Sequence, residues 1–232
     1  MGKRVKNKLA VLLAAGLALF SGSCGGISGY EGKELTDKAK ALHTSLESAD
    51  ITVCDLNTHE TVQEISYRFV GDVMQYMYYG KDASTGQEYY EFNNGTELDF
   101  ITLPDESEWS FKSKGEDGYY NYSKASRHYF ADGAKLFSDY SAAVSASSVE
   151  QSLYGGKKLT LSYDIEKLRQ YEGMSEMTEF SEVFELDEEG YCAEFLTSFT
   201  LSDGSSSKYT VYINKRNADE PIERTSIELP TE

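Results

Sequence analysis

The sequence predicts an α+β fold in which one N-terminal helix precedes an antiparallel sheet that further helices interrupt. Two observations support this class. The period of the apolar residues changes from about 3.6 to about 2 after Asp50. Short apolar runs are then separated by tight-turn signals, of which Asn93-Asn94-Gly95 is the strongest because Asn and Gly tolerate a positive φ. Short links between successive strands favour sequential neighbours in one sheet.

The first element is an amphipathic helix, predicted over residues 34–48. Apolar residues recur there at spacings of four, three and four, which places them on one face of a helix. This stripe consists of Leu35, Ala39, Leu42 and Leu46. His43 lies beside the stripe, and a histidine at the edge of a helix is expected to be a bystander rather than a ligand.

The pattern of the remaining sequence predicts a meander of short strands. Strands are expected over residues 51–56, 64–70, 73–79, 89–92, 98–103, 109–112, 119–122, 158–165, 179–186, 191–201, 208–214 and 222–229. Residues 134–153 are rich in Ala and Ser with few strand alternations, so one or two inserted helices are predicted there. Residues 166–177 are expected to be helical or irregular. No break in composition separates two domains, and residues 31–232 are therefore expected to form one.

The N-terminal residues follow the pattern of a secretory signal peptide, with a basic segment followed by an apolar one. Residues 2–8 carry four positive charges, and residues 9–20 form an apolar run that is too short to span a membrane. Small residues followed by Cys24 resemble the lipobox of bacterial lipoproteins, although Ser21 stands where that pattern prefers Leu. The resemblance implies that residues 1–23 are removed, that Cys24 is lipidated, and that residues 24–30 form a tether. An ordinary signal peptide with an incidental cysteine is the alternative.

The charge balance restricts the partners of the protein. The chain of 232 residues carries 39 acidic and 22 basic side chains, a net charge of −17. Removal of residues 1–23 takes four of the basic residues and no acidic ones, which leaves −21. Nucleic-acid binding is excluded because it needs clustered Lys and Arg. An anchored protein of this charge is expected to be held at the outer face of a bacterial membrane by its lipid alone.

Several predicted strands are apolar or aromatic on both faces. In residues 73–79, one parity reads Met, Tyr, Tyr and the other Val, Gln, Met, Tyr. A sheet with one face exposed to solvent would show polar residues at every second position of each strand. Either these rings cover a large curved sheet, or the sheet curls around a cavity and some of the rings line a ligand-binding site there.

The order of lipobox, helix and successive hairpins resembles the LolA/LppX-like lipoprotein superfamily. The helix segment 39–46 and the hairpin 91–98 carry the resemblance, together with the helices expected within the sheet. It implies a curved half-barrel with helices on its concave side and a hydrophobic cavity for acyl chains between them. Residues expected to line such a pocket are Leu35, Leu42, Leu46, Tyr76, Tyr78 and Trp109.

Catalytic and metal-binding signatures are missing from the sequence. No nucleophile elbow, paired-histidine motif or phosphate-binding loop occurs, so an enzyme, a cofactor and a metal site are not expected. Cys54 and Cys192 both fall in predicted strands. They could form a disulfide in an exported domain or remain buried free thiols.

Two classes of function remain. The first is a non-enzymatic, monomeric lipoprotein that binds or carries a lipid or acyl chain. The second is a surface-displayed module that binds protein, peptide or glycan through exposed tyrosines. An enclosed apolar pocket would favour the carrier, and exposed rings over a filled core would favour the module.

Overall fold

The computed structural model describes residues 30–71, 73–82, 85–94, 97–103, 109–113 and 140–223. Within them, one sheet of eleven strands contains antiparallel pairs only. The strands are β1 Ser48–Asp55, β2 Glu60–Val70, β3 Val73–Lys81, β4 Glu88–Asn93, β5 Glu97–Leu103, β6 Trp109–Ser113, β7 Val144–Gln151, β8 Gly155–Tyr163, β9 Met177–Asp187, β10 Cys192–Leu201 and β11 Ser206–Asn214. The helices are α1 Lys33–Thr44 and α2 Ile165–Leu168, and a 3₁₀ turn covers Ser141–Ala143.

The strand order joins two meanders at the centre of the sheet. Strands β1 to β6 run outward from the centre to one edge, and the chain re-enters the sheet at β7 on the opposite edge. Strands β7 to β11 then run back, so that β11 pairs with β1 and Ile51 lies opposite Ile213. Among the described strands, β6 and β7 form the two edges and do not pair with each other. The expected class, an α+β fold built on a curved antiparallel half-barrel, is confirmed.

One face of the sheet, the inner face, carries most of the buried apolar side chains. Cross-strand neighbours on it form a continuous row across six strands, from β1 through β11 to β7. The row is Val53, Val211, Phe195, Phe184, Leu159 and Val149. On the other side of β1 the same face continues through Ile51, Ile65 and Tyr78. The core therefore lies on one face of an open sheet.

Helix α1 packs on the inner face near β7 to β10. It begins after Gly32, which has φ +84°, and a Cβ there would lie 2.8 Å from the side chain of Val149 and 2.9 Å from that of Leu159. Only glycine combines this backbone conformation with so close an approach. The glycine therefore sets where α1 starts against the sheet.

The sequence placed the end of this helix too late. Helix α1 ends at Thr44, and β1 already begins at Ser48. The buried residues of the helix are Thr36, Ala39 and His43, so the buried face is rotated from the predicted stripe. Leu46 is also buried, but it lies in the connection to β1 rather than on the helix.

The helix predicted over residues 134–153 is wrong where the structure describes the chain. Residues 144–151 form β7, the edge strand, and pair with β8. Small and polar residues suit an exposed edge as well as a helix, and the pairing with β8 decides between them. Residues 134–139 lie outside the described residues, as does the strand predicted over 119–122. Of the strand predicted over 222–229, residues 222 and 223 are described and are not in a strand.

Helix α2 lies within the segment expected to be helical or irregular. It begins after Asp164, whose carboxylate accepts hydrogen bonds from the backbone N–H groups of Glu166 and Lys167. Leu168 is its buried residue. No helix among the described residues has the length and apolar character needed to cross a membrane.

Candidate functional site

A cleft lies between α1 and the inner face of β8 and β9. The space in it that water-sized molecules can occupy is small, about 40 Å³. The wall from α1 contains Lys33, Thr36, Asp37 and Lys40, and the 3₁₀ turn and the start of β7 contribute Ser141 and Val144. The sheet contributes apolar and polar side chains from adjacent strands. These are Leu161, Tyr163, Glu182 and Phe184.

The floor of the cleft contains a buried carboxylate. Glu182 is 2% exposed and lies opposite Leu161 on β8 and Thr197 on β10, on the same face as Phe184. The Tyr163 hydroxyl donates a short hydrogen bond to its Oε2. A buried carboxylate is expensive to desolvate, and strong donors around it offset that penalty. The floor thus offers carboxylate oxygens inside an otherwise apolar surface.

Aromatic rings surround this carboxylate on one side. Tyr140 makes edge-to-face contacts with Tyr163, Tyr171 and Phe180, with centroids 5.1 to 6.3 Å apart. Burial raises the pKa of Tyr140 above its ordinary value, and the charge of Glu182 adds to the shift. The Tyr140 hydroxyl therefore stays protonated at physiological pH.

The rim of the cleft carries both signs of charge. The Lys33 ammonium pairs with Asp37 at 2.7 Å, one turn along α1. The Tyr30 hydroxyl and the Thr36 hydroxyl share a hydrogen bond of 2.9 Å across the entrance of the helix. Lys40 is half-buried and makes no ion pair with any residue that the structure describes. Among the residues that the structure describes, Lys40 is therefore a cation of the rim without an ion-pair partner.

A second buried polar cluster fixes the other end of α1. His43 is 1% exposed, and its Nε2 accepts a hydrogen bond of 3.0 Å from the backbone N–H of Cys192. The guanidinium of Arg216 pairs with the carboxylate of Asp187 at 2.5 Å, and its Cζ lies 4.7 Å from the centroid of the Tyr191 ring. The Tyr191 ring in turn makes an edge-to-face contact with His43. Burial lowers the pKa of His43 to about 4, and the charge of Arg216 adds to this effect. His43 is thus a neutral, buried residue that links α1 to β10.

The residues predicted to line a pocket occupy several places. Leu46 and Tyr76 are buried in the main core, and Leu35 and Tyr78 pack against it half-buried. Leu42 is half-buried on α1. None of these five lines the cleft described above. Trp109 begins β6, and its side chain is outside the described part of the structure. Their role in binding stays a prediction.

The disulfide between Cys54 and Cys192 is not formed, and both cysteines are free. Strand β11 lies between their strands, and Cys54 is opposite Thr210, which is opposite Leu196 rather than Cys192. Two strand spacings already amount to about 10 Å, which is beyond the reach of a disulfide. The Cys192 thiol instead donates to the carbonyl of Glu194 at 3.2 Å, and burial raises its pKa.

Glu182 and Arg216 were missed by sequence reasoning. A signal for Glu182 exists in the alternation of β9, where Phe180, Glu182 and Phe184 share one parity. An acidic residue between two phenylalanines on the buried parity of a strand indicates a position that the fold tolerates only with donors nearby. Arg216 follows the last strand and carries no local signal. Among the described residues, no group of three or more His, Cys, Asp or Glu could hold a metal ion.

Comparison with known proteins shows the fold. No protein-family profile matches the chain, and no curated protein matches it. The crystal structure of LprF from Mycobacterium bovis superposes with a TM-score of 0.52 at 9% identity, covering 86% of this chain and 99% of that one. LprF has a LolA-like fold, so the resemblance to the LolA/LppX-like superfamily is confirmed for the architecture. At this identity the comparison shows the fold alone.

Proposed function

We propose that this protein is a lipid-anchored extracytoplasmic lipoprotein of the bacterial cell envelope that binds a lipid or acyl chain without catalysing a reaction. The observation that carries the proposal is the unbroken apolar row on the inner face of an open sheet. Val53, Leu159 and Phe184 of this row are buried and its other three members are half-buried, so an acyl chain on this face would pack against the half-buried members.

The width of the row supports a chain-shaped ligand. Six adjacent strands contribute to it, and strands lie about 4.8 Å apart, so the row extends over roughly 24 Å. Phe184 and Phe195 stack at its centre with ring centroids 4.8 Å apart. An extended apolar surface of this length matches an acyl chain better than a compact polar ligand.

The anchor at Cys24 rests on the sequence of residues 2–24. Its test is the variant Cys24→Ala, which should release the protein to the medium or leave it unprocessed, with the mass of the uncleaved chain. Membrane fractionation followed by mass spectrometry of the intact protein measures both. A variant with unchanged membrane association and unchanged mass would disprove lipidation at Cys24.

The ligand class is tested first by native mass spectrometry of the protein extracted from its own membrane. A co-purifying lipid is expected as a mass increment that organic solvent removes. Protein stripped in this way should then take up a fluorescent fatty acid saturably. If neither a bound lipid nor saturable uptake is found, lipid binding is disproved.

Two neighbouring residues of β10 provide matched variants for this assay. Phe195 and Leu196 are both half-buried, but Phe195 lies on the inner face and Leu196 on the outer face. Phe195→Gln should weaken uptake of the fluorescent fatty acid about tenfold or more, since it places an amide in the apolar row. Leu196→Gln should leave uptake within about twofold. Equal effects of the two variants would mean that the probe does not bind on the inner face.

Binding of a protein, peptide or glycan through tyrosines is the second candidate. The observation that favours it is a ring pair on the outer face, where Tyr79 and Tyr90 lie 5.0 Å apart, together with the exposed hairpin residues Leu153 and Tyr154. Replacement of Tyr79 and Tyr90 by alanine should abolish binding to such a partner and leave fatty-acid uptake unchanged. Loss of uptake in this variant would count against the inner face as the lipid site.

A further inference from the structure

The large apolar side chains that are exposed in the described part of the structure lie at two hairpin turns. Val70, at the end of β2, is 46% exposed. Leu153 and Tyr154, in the turn between β7 and β8, are 94% and 40% exposed. Single exposed apolar residues are common on protein surfaces, and they indicate an interaction site only where they lie together.

The strand pairing places both turns at the same end of the sheet, here called the Leu153 end. Val70 lies next to the start of β1, because Arg68 is opposite Ser48. The order continues through the end of β11, the start of β10, the end of β9 and the start of β8, each paired with the one before it. From β2 to β8 there are five strand spacings, roughly 24 Å along the sheet.

The turns at the opposite end of the sheet, here called the Thr58 end, are polar. The turn between β1 and β2 contains Asn57, Thr58 and His59, and the turn between β10 and β11 contains residues 202–205, Ser-Asp-Gly-Ser. Among the described residues, this end exposes no large apolar side chain. The two ends of the sheet are therefore suited to different surroundings.

The Leu153 end lies within reach of the proposed anchor. Gly32 packs against Val149 of β7, and Leu153 follows Val149 by four residues, about 13 Å of extended chain. Cys24 precedes Tyr30 by six residues, which span at most roughly 20 Å. A lipid on Cys24 therefore keeps the β7 edge close to the bilayer, and both ends of the sheet are near enough to meet it. The side chains that each end exposes then decide which end does so.

Apolar contact rather than charge favours the Leu153 end. Without residues 1–23 the chain carries a net charge of −21, which anionic headgroups repel. Attachment offsets this repulsion, because a tethered surface is held at a high effective concentration and even a weak second contact is populated. Leucine and valine side chains are stabilised when they leave water, and tyrosine is favoured at the level of the headgroups.

We propose that the Leu153 end is a membrane-contact surface, at which Leu153 and Val70 enter the outer part of the bilayer that holds the lipid of Cys24. This inference rests on the proposed anchor. The Tyr154 hydroxyl donates to Glu194 at 3.0 Å, so the ring keeps a polar tip at the level of the headgroups. The contact points the strands at the membrane and holds the Thr58 end away from it.

Tryptophan fluorescence measures which end meets the bilayer. The full-length protein is purified with its lipid and inserted into preformed vesicles of phosphatidylethanolamine and phosphatidylglycerol, with or without bromine on the acyl chains. Leu153→Trp and the matched control Thr58→Trp place a probe in an exposed turn at either end, and Trp109, the one native tryptophan, is replaced by phenylalanine in both. Brominated lipid should reduce the emission of the first probe about twofold or more and leave that of the control nearly unchanged, since only a ring that reaches the acyl chains is quenched.

A second set of variants tests whether the two turns form one surface. Val70→Trp should also be quenched by brominated lipid. Adding Leu153→Asp should reduce that quenching about twofold or more, because a charged side chain is unfavourable inside the bilayer. Adding Thr58→Asp, which introduces the same charge at the other end, should leave it unchanged. If Leu153→Asp has no effect on the probe at position 70, the two turns do not act together and the single surface is overturned.

The same samples separate this inference from the anchor on which it rests. Protein that does not float with the vesicles would disprove the anchor, and this inference with it. Protein that floats while Leu153→Trp and Thr58→Trp are quenched equally would leave the anchor standing and overturn the contact surface. A blue shift of the Leu153→Trp emission that grows with protein concentration in the absence of vesicles would identify the turn as a contact between proteins, which also overturns it.

Discussion

The inner and outer faces of the sheet hold their acidic residues in different ways. On the outer face, Glu194 accepts hydrogen bonds from Tyr154 at 3.0 Å and Thr210 at 2.9 Å, and Glu185 pairs with Lys158 at 3.4 Å. On the inner face, Glu182 lies among aromatic rings. The outer carboxylates are held by hydroxyl groups and a lysine, whereas Glu182 is held by the Tyr163 hydroxyl beside apolar and aromatic side chains. The two faces therefore stabilise these carboxylates with different partners.

The largest difference between the faces should appear in stability. Phe184→Ala removes a fully buried ring from the inner face and is expected to lower the free energy of unfolding by about 3–5 kcal/mol. Val183→Ala, one residue earlier and half-buried on the outer face, should lower it by about 1 kcal/mol or less. Urea denaturation followed by circular dichroism measures both. Similar losses for the two variants would mean that the sheet is buried equally on its two faces.

The buried polar link of α1 should make stability depend on pH. Burial holds the pKa of His43 at about 4, below the ordinary value of 6.5, so the unfolded chain takes up a proton at higher pH than the folded one. The stabilisation is therefore complete above pH 6.5 and is lost as the pH falls towards 4, by roughly 3 kcal/mol in total.

The variant His43→Gln isolates this effect. It keeps an acceptor for the Cys192 N–H but does not titrate, so its free energy of unfolding should fall less steeply between pH 6.5 and 4 than that of the wild type. His59→Gln is the control, because His59 is exposed in the turn between β1 and β2. If His43→Gln and the wild type show the same slope, His43 is not buried in its neutral form.

Two glycines with nearly the same backbone conformation test how tightly α1 is seated on the inner face. Gly32 has φ +84° and close neighbours on β7 and β8, whereas Gly204 has φ +82° and open space around it. Gly204→Ala should cost about 1 kcal/mol through backbone strain alone. Gly32→Ala should cost about 1–3 kcal/mol more, since the methyl group also overlaps Val149 and Leu159. Thermal unfolding that gives equal values would show that the start of α1 is loosely packed.

The smallest effect is expected for an ion pair on the outer face. Lys158→Ala breaks its contact with Glu185, and because the lysine is partly exposed the free energy of unfolding should fall by about 1 kcal/mol or less. The change should shrink further in high salt. A loss of several kcal/mol would indicate that the outer face is covered by more than solvent.

The sequence predicted the strands well where turns and side-chain parity are local. Strand β4 ends at Asn93 and β5 begins at Glu97, on either side of the predicted turn. Strands β2, β3, β10 and β11 lie close to their predicted ranges. Strand β7 was missed because its Ser and Ala residues become a strand only by pairing with β8. The polarity of a residue can be read from the sequence, but the strand that pairs with it cannot.

The candidate site was harder to predict for the same reason. His43 and Cys192 are 149 residues apart and meet only when α1 packs on the sheet. Glu182 becomes a floor residue only when the 3₁₀ turn and α1 cover β8 and β9. The predicted pocket residues came from apolar stripes, which identify what is buried without distinguishing a core from a ligand site.

The pairing of β1 with β11 has a consequence for how the protein reaches its native state. Each meander can form from neighbours in sequence, but the seam between them joins Ile51 to Ile213, and loop closure over so many residues is entropically unfavourable. Proteins dominated by such distant contacts fold slowly. On a chain emerging in N-to-C order, β1 can pair with β2, but its other edge stays unpaired until β11 is available. Until then the free edge of β1 is a site at which two incomplete chains can associate.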